Sequence, residues 1–309
     1  MRVTNGDLDL HVAEDGDPAA PPVLLIHGII GSRATWAWLV PELAERFRVL
    51  RLDLRGHGES ARAPGEYGAD GYVADAVAAL EQAAGQPCLV VGHSLGGAIA
   101  AALAQRRPDL LAGVVLEDPP LGPTAPGETL SLEGNSLLDG FRFMRDTIPQ
   151  IQEAGMTVDA LAEIIATVAH SSGNGTFGDV FLPDGMVSMA SSLLEVDATV
   201  LDPVLHGTMG TFLDPTVPFA IPALILAADP AKPDAVASRA AAGHYASISP
   251  DVAVVVVDGA GHTIHNEHAG REPFLAALAR VPRSSRDDAL SGIPGRTGAA
   301  TACAGTLGA

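Results

Sequence analysis

Short apolar runs recur along the chain, and segments whose apolar residues follow helical spacing separate them. An uninterrupted apolar run is typical of a strand buried on both faces of a parallel sheet. Strands that alternate with helices predict an α/β fold, a doubly wound and mostly parallel sheet with helices on both faces. The predicted strands lie at 23–26, 48–52, 87–91, 112–116, 223–226 and 252–257.

The alternation stops at Pro119-Pro120, and residues 119–218 predict helices but no buried strand. This pattern predicts one α/β core formed by 1–118 and 219–282, with the helical insertion 119–218 over one end of the sheet. Residues 283–309 are small, polar and Gly-rich, and we expect them to form a disordered tail.

The charge balance excludes several classes of partner. The chain carries 18 basic and 37 acidic residues, a net charge of −19, and its single lysine is Lys232. Such a surface repels nucleic acid and anionic membranes. Two cysteines, Cys88 and Cys303, are too few for a disulfide framework or a cysteine-rich metal site. Because neither a signal core nor a bilayer-length apolar stretch is present, we expect a cytoplasmic protein.

A Gly-His-Ser-Leu-Gly sequence joins a predicted buried strand to a predicted helix, with Ser94 at its centre. A sharp strand-to-helix turn exposes its central side chain, and it needs small residues on either side, a requirement that Gly92 and Gly96 meet. The amides at the start of the following helix favour an oxyanion there. We therefore predict that Ser94 is a nucleophile; the alternative is a Gly-rich connection with a capping serine.

A serine nucleophile needs a base, and His262 is the best candidate. It follows the last predicted strand in a Gly-Ala-Gly-His sequence, at the sheet edge where Ser94 lies. The alternative for a loop histidine is a solvated surface residue. His265 and His268 follow at intervals of three, but no glutamate signature accompanies them, so we expect no metal. We expect His93 to point away from the site and His57 to fix a loop.

The acid that orients the base is less well determined by the sequence. Asp229 ends a predicted strand at the correct sheet edge, and we predict that it orients His262. The alternative for Asp229 is an ordinary turn residue before a proline. Asp234 further along the same loop, and Glu117 or Asp118 at the end of an earlier strand, remain candidates.

An oxyanion hole requires two backbone N–H groups that point to the developing negative charge. Leu95, which follows the nucleophile, is predicted to supply one of them. The loop after the first buried strand is predicted to supply the other through Ile29, since the preceding Gly28 allows the peptide to turn inward. The alternative is a plain glycine turn.

Together these features resemble the α/β-hydrolase fold superfamily over nearly the whole chain, to about Val281. The motifs that carry the resemblance are His27-Gly28, the segment 53–60 (Asp-Leu-Arg-Gly-His-Gly-Glu-Ser), the serine turn and Gly261-His262. The resemblance implies that 119–218 is a helical cap. A serine nucleophile argues against the dehalogenases and epoxide hydrolases of this superfamily, which use aspartate. One departure is the compressed Ala227-Ala228-Asp229-Pro230 loop.

The predicted function is hydrolysis of a small-to-medium hydrophobic carboxylic ester or lactone through an acyl-enzyme, by a monomer or homodimer without cofactor or metal. Apolar side chains of the insertion indicate a hydrophobic substrate, although they also suit a packed helical subdomain. They are Phe141, Phe143, Met144, Ile148, Met156, Met186, Met189 and Phe212. The alternatives are a cofactor-free C–C bond hydrolase of a diketone-like substrate and a non-catalytic small-molecule receptor.

Overall fold

A computed structural model describes residues 1–122, 136–173 and 175–279. Its eight-stranded sheet has the order β1-β2-β4-β3-β5-β6-β7-β8, in which β2 pairs antiparallel with both β1 and β4 and all other neighbours pair parallel. The predicted doubly wound α/β architecture is therefore confirmed. The strands are β1 Arg2–Asn5, β2 Leu8–Asp15, β3 Pro22–Ile26, β4 Arg48–Leu52, β5 Cys88–His93, β6 Leu111–Glu117, β7 Ala223–Ala228 and β8 Val252–Val257.

Helices cover both faces of the sheet and fill the interval between β6 and β7. The α-helices are α1 Val40–Ala44, α2 Ala69–Ala79, α3 Leu95–Arg106, α4 Ser136–Glu153, α5 Val158–Thr167, α6 Phe177–Val180, α7 Pro183–Glu195, α8 Asp202–Leu205, α9 Arg239–Ile248 and α10 Arg271–Leu278. Short 3-10 segments lie at Arg33–Leu39, Pro108–Leu110, Ala198–Leu201 and Ile264–Asn266, and a π-helical turn lies at Leu80–Ala84.

The central strands explain why their sequences are apolar without interruption. Leu24 and Ile26 of β3 belong to the hydrophobic core on one face of the sheet, whereas Val23 and Leu25 belong to the core on the other. Successive side chains of a strand point to opposite faces, so a strand between two layers of helices must be apolar at every position. β8 departs from this expectation. It lies at the edge of the sheet, and Val254 is 39% exposed.

The helices between β6 and β7 run from α4 to α8 and form a segment, 136–205, that we call the helical segment. Its α7 packs against the turn Arg33–Leu39 that follows β3, which brings the segment over the carboxyl ends of the strands. The predicted cap boundaries at 119 and 218 remain a prediction, and the predicted tail 283–309 and Cys303 lie outside the described residues. Within the described ranges, no helix is both long enough and apolar enough to cross a membrane.

Candidate active site

The turn between β5 and α3 places Ser94 at the carboxyl edge of the sheet. Ser94 has φ 51° and ψ −114°, and its N–H donates to the carbonyl oxygen of Glu117 at 2.8 Å. A Cβ on Gly92 would lie 2.2 Å from the Gly96 carbonyl oxygen, and one on Gly96 would lie 2.3 Å from that of Ile26. The two glycines are therefore required by close backbone contacts, which is the geometry predicted for a strained turn that presents a nucleophile.

His262 is buried beside this turn, and its ring is held by Asp118. The distance between His262 Nδ1 and Asp118 Oδ2 is 2.7 Å. Burial lowers the pKa of His262, but the hydrogen bond and negative charge of Asp118 outweigh it, so that the pKa is raised from its ordinary value. Because Nδ1–H donates to the carboxylate, Nε2 is the nitrogen left to accept a proton.

The prediction that Asp229 orients His262 is wrong. The Asp229 carboxylate accepts the N–H groups of Ala231 and Gly259, both at 2.9 Å, and so closes the loops that follow β7 and β8. These bonds lower the pKa of Asp229. Asp118 reaches the imidazole instead: it follows β6, the strand beside β5, so it lies next to the serine turn, and its Oδ2 is 2.7 Å from the His262 ring.

The carboxylates of the other two candidate acids, Asp234 and Glu117, also bind groups other than the His262 ring. Asp234 Oδ2 accepts the backbone N–H of His262 at 3.4 Å and the hydroxyl of Ser171 at 3.3 Å. Glu117 accepts from the backbone N–H and the Nδ1–H of His265, at 2.9 Å and 2.8 Å. Burial raises the pKa of Glu117 to about 7.

The predicted oxyanion groups adjoin the serine. Leu95 is the first residue of α3, where a helix N–H has no partner within the helix. Gly28 packs so closely on the turn that a Cβ there would lie 3.2 Å from the Ser94 Cβ, which brings the following Ile29 to the same place. Ile30 has φ 60°, and its N–H donates to His57 Nε2 at 3.3 Å.

His57 fixes this loop, as predicted. Its Nδ1–H donates to the carbonyl oxygen of Arg55 at 2.8 Å while Nε2 accepts from Ile30. Burial lowers the pKa of His57 to about 3, so the ring is neutral and can accept at Nε2.

Backbone strain concentrates at this edge of the sheet. Among the described non-glycine residues, positive φ occurs at Ile30, Ser94 and Asp118, the last with φ 39°. Each of these conformations costs on the order of 1–3 kcal/mol and persists only where the surroundings enforce it. Strain at the serine turn, the adjacent loop and Asp118 makes this edge of the sheet the candidate functional site.

A buried polar network beside the site was not predicted from the sequence. His93, expected to point away, lines the site: its Nε2–H donates to the His262 carbonyl oxygen at 3.1 Å. His265 Nε2 accepts from the Thr35 hydroxyl at 2.7 Å, and Thr35 Oγ1 accepts from the amide of Asn266 at 3.1 Å. Only the spacing of His265 after His262 gave a sequence signal, since tertiary packing brings the other residues together.

The contacts of His265 also leave it no nitrogen for a metal, because Glu117 and Thr35 occupy both. His268 is exposed. Within the described residues, three potential ligand atoms come together in a different group, which consists of His170, Asp234 and Glu267.

A cavity of about 530 Å³ opens from Ser94 and His262 into the helical segment. Six of the eight apolar side chains expected to contact substrate line it, whereas Met186 and Phe212 do not. Among the described residues of the lining, the ionisable side chains are Asp234 and three histidines, and arginine and lysine are absent. The cavity therefore suits a neutral, apolar ligand.

Comparisons with known proteins give both nearly full-length and partial relatives of this chain. The 2-(acetamidomethylene)succinate hydrolase of Mesorhizobium japonicum is 28% identical over 266 residues, 85% of this chain and 88% of that protein. An sn-1-specific diacylglycerol lipase of Mus musculus is 37% identical over 116 residues, so this chain matches only 37% of the lipase's length.

Solved structures give the same fold. The crystal structure of E-2-(acetamidomethylene)succinate hydrolase has a TM-score of 0.68 at 25% identity and covers 91% of this chain and 97% of its own. An enol-lactonase from Burkholderia xenovorans has a TM-score of 0.60 at 22% identity, covering 86% and 94%. A family model for the alpha/beta hydrolase fold matches residues 21–269, and the chain belongs to that family.

Proposed function

We propose that this hydrolase cleaves neutral, hydrophobic carboxylic esters or lactones, with Ser94 as nucleophile, His262 as base and Asp118 as the acid that orients the base. One observation carries the proposal: Ser94 and the Asp118-held imidazole open onto the same apolar cavity. A base paired to a buried carboxylate activates a serine hydroxyl, and an apolar cavity binds the acyl or alkyl group.

The proposed reaction has two steps. His262 Nε2 removes the Ser94 proton as Oγ attacks the acyl carbonyl, and the N–H groups of Ile29 and Leu95 bind the oxyanion. His262 returns the proton to the leaving alkoxide, which leaves an acyl-enzyme. Water, deprotonated by the same imidazole, then releases the acid and frees Ser94.

The charge of the cavity indicates that the substrate of this chain differs from the succinate in the name of the Mesorhizobium relative. A succinate carries two carboxylates, which a binding site neutralises with arginine or lysine. The described lining offers neither residue. We therefore infer that the substrate of this chain is uncharged where it contacts the cavity.

The test is hydrolysis of p-nitrophenyl esters from acetate to decanoate by the wild-type chain and the Ser94→Ala variant. We expect turnover to fall by on the order of 10⁵–10⁶-fold in Ser94→Ala, with the fold retained. Ser188→Ala is the matched control, since this cavity-lining hydroxyl donates to the carbonyl oxygen of Gly185 in its own helix.

The remaining outcomes identify the alternatives. Labelling of Ser94 by a fluorophosphonate without ester turnover would replace the proposal by C–C bond hydrolysis of a diketone-like substrate. Absence of both turnover and labelling would favour a non-catalytic receptor. Wild-type turnover by Ser94→Ala would refute the nucleophile itself.

A further inference from the structure

A second buried polar cluster lies next to the proposed catalytic residues. His170, Asp234 and Glu267, here called the His–carboxylate cluster, each offer a ligand atom, and these atoms lie within 4.8 Å of one another. His170 belongs to the helical segment, Asp234 to the loop after β7, and Glu267 to the loop after His262. Three separate parts of the chain therefore converge on one point.

The cluster lacks a compensating cation. Asp234 is 1% exposed and Glu267 is 2% exposed, and within the described part of the chain neither forms an ion pair with arginine or lysine. Asp234 Oδ1 is fully buried without a hydrogen-bond partner among the described residues. Burying two carboxylates side by side without a counter-charge is unfavourable, and a bound cation would relieve that cost.

The surrounding groups already hold the three side chains in place. Glu267 accepts the N–H of Gly261 at 2.7 Å, and His170 Nδ1 lies 2.8 Å from Ser172 Oγ. Hydrogen bonds of this kind orient metal ligands in proteins. His170 Nδ1 also accepts the N–H of Ser172 at 3.1 Å, so metal binding at Nε2 requires the ring proton to move to Nδ1, where Ser172 Oγ can accept it.

Gly261 leaves space where the carboxylates meet. A Cβ at this position would lie 2.8 Å from Asp234 Oδ2 and 2.9 Å from Glu267 Oε1. Any side chain would therefore block the point of convergence, and glycine keeps it accessible.

We propose that the His–carboxylate cluster binds one divalent transition-metal ion, with Zn²⁺ as its probe, and thereby ties the helical segment to the loop that carries His262. One imidazole and two carboxylates suit Zn²⁺, which takes nitrogen and oxygen ligands in a four-coordinate shell. Ca²⁺ prefers six to eight oxygens, which this set does not supply.

The test is calorimetric titration of the untagged, EDTA-treated chain with ZnCl₂, together with thermal denaturation. We expect about one equivalent to bind, and Tm to rise by about 5 °C when free Zn²⁺ reaches about 100 times Kd. Asp234→Asn and His170→Gln are each expected to weaken binding by on the order of 100-fold. His268→Ala, which removes an exposed histidine beside Glu267, is the control and should bind like wild type.

Two variants keep the result decisive if one fails to fold. Asp234 contacts the backbone of His262, whereas His170 lies in the helical segment, so His170→Gln decides the question if Asp234→Asn is unstable. Failure of the wild-type chain to bind Zn²⁺ would overturn the proposal. Binding that both variants retain, or equal affinity for Ca²⁺, would overturn it as well.

Discussion

Replacing Asp118 by asparagine tests the assignment of the acid most directly. The Asp118 carboxylate has four donors. Oδ2 lies 2.7 Å from His262 Nδ1 and accepts the N–H of Val236 at 2.9 Å, while Oδ1 accepts the N–H groups of Ala228 and Ala237, both at 3.0 Å. An amide of the same shape can satisfy only part of this set, because one oxygen becomes an NH₂ group.

The size of the effect on activity depends on which of the four donors still has an acceptor in the variant. If the amide oxygen stays with Ala228 and Ala237, the NH₂ group faces Val236 N–H and His262 Nδ1. The imidazole must then accept at Nδ1 and carry its proton on Nε2, where it cannot deprotonate Ser94. The corresponding change in a serine protease costs on the order of 10⁴-fold in kcat, which is about 5.5 kcal/mol of transition-state stabilisation.

The same variant also loses stability, since the part-buried N–H of Val236 is left without an acceptor. This loss costs about 1–3 kcal/mol of the free energy of unfolding. We expect Tm to fall by several degrees while the chain remains folded at 25 °C.

Initial rates of p-nitrophenyl ester hydrolysis at 25 °C, compared between Asp118→Asn and Asp229→Asn, provide the assay. Asp229 is the matched control because it is an aspartate at the same sheet edge whose carboxylate accepts the N–H groups of Ala231 and Gly259. We expect its variant to stay within about 3-fold of wild type, as for a partly exposed polar substitution. Loss of activity in Asp229→Asn with wild-type turnover in Asp118→Asn would refute the reasoning.

Two further perturbations test the base and the serine turn. His262 must be neutral to act as base, and its pKa is raised by Asp118, so kcat/KM should fall as pH drops through a value above 6.5; a pH profile that stays flat down to pH 5 would contradict this assignment. Gly96→Ala should lower the free energy of unfolding by at least about 3 kcal/mol in urea denaturation, because its Cβ would lie 2.3 Å from a backbone oxygen. Gly243→Ala in α9, with open space at Cβ, should instead raise it by about 0.5–1 kcal/mol, and equal effects of the two substitutions would contradict the packing argument.

Much of the fold follows from the period of the apolar pattern. Strands β4 and β8 occupy the residues predicted for them. The apolar pattern of β8 nevertheless predicted burial on both faces, whereas the strand lies at the sheet edge. Composition cannot distinguish these positions, because exposure of an edge strand depends on the order of strands in space.

The choice of the acid shows what the sequence alone could not predict at the site. The sequence placed four carboxylates at one edge of the sheet, and a choice among them required distances that only the folded chain provides. Glu117 and Asp118 are consecutive, and successive side chains at a strand end point in different directions. Glu117 therefore reaches His265 while Asp118 reaches His262. Ser94 and His262 were easier to select as candidates, since each stands in a local glycine-rich sequence with its own geometric requirement.

The two histidines beside His262 are neutral, so they do not oppose the attraction between the Asp118 carboxylate and a protonated His262. Burial lowers the pKa of His93 to about 3 and that of His265 well below its ordinary value, so both rings are neutral near pH 7. The ring centroid of His93 lies 4.8 Å from that of His262 and 5.1 Å from that of His265. When His262 gains a proton in the proposed reaction, it therefore meets no neighbouring imidazolium, and the full attraction of Asp118 is available to stabilise it. A cationic ring at His93 would oppose that proton transfer at contact distance, so burial of these histidines keeps the base effective.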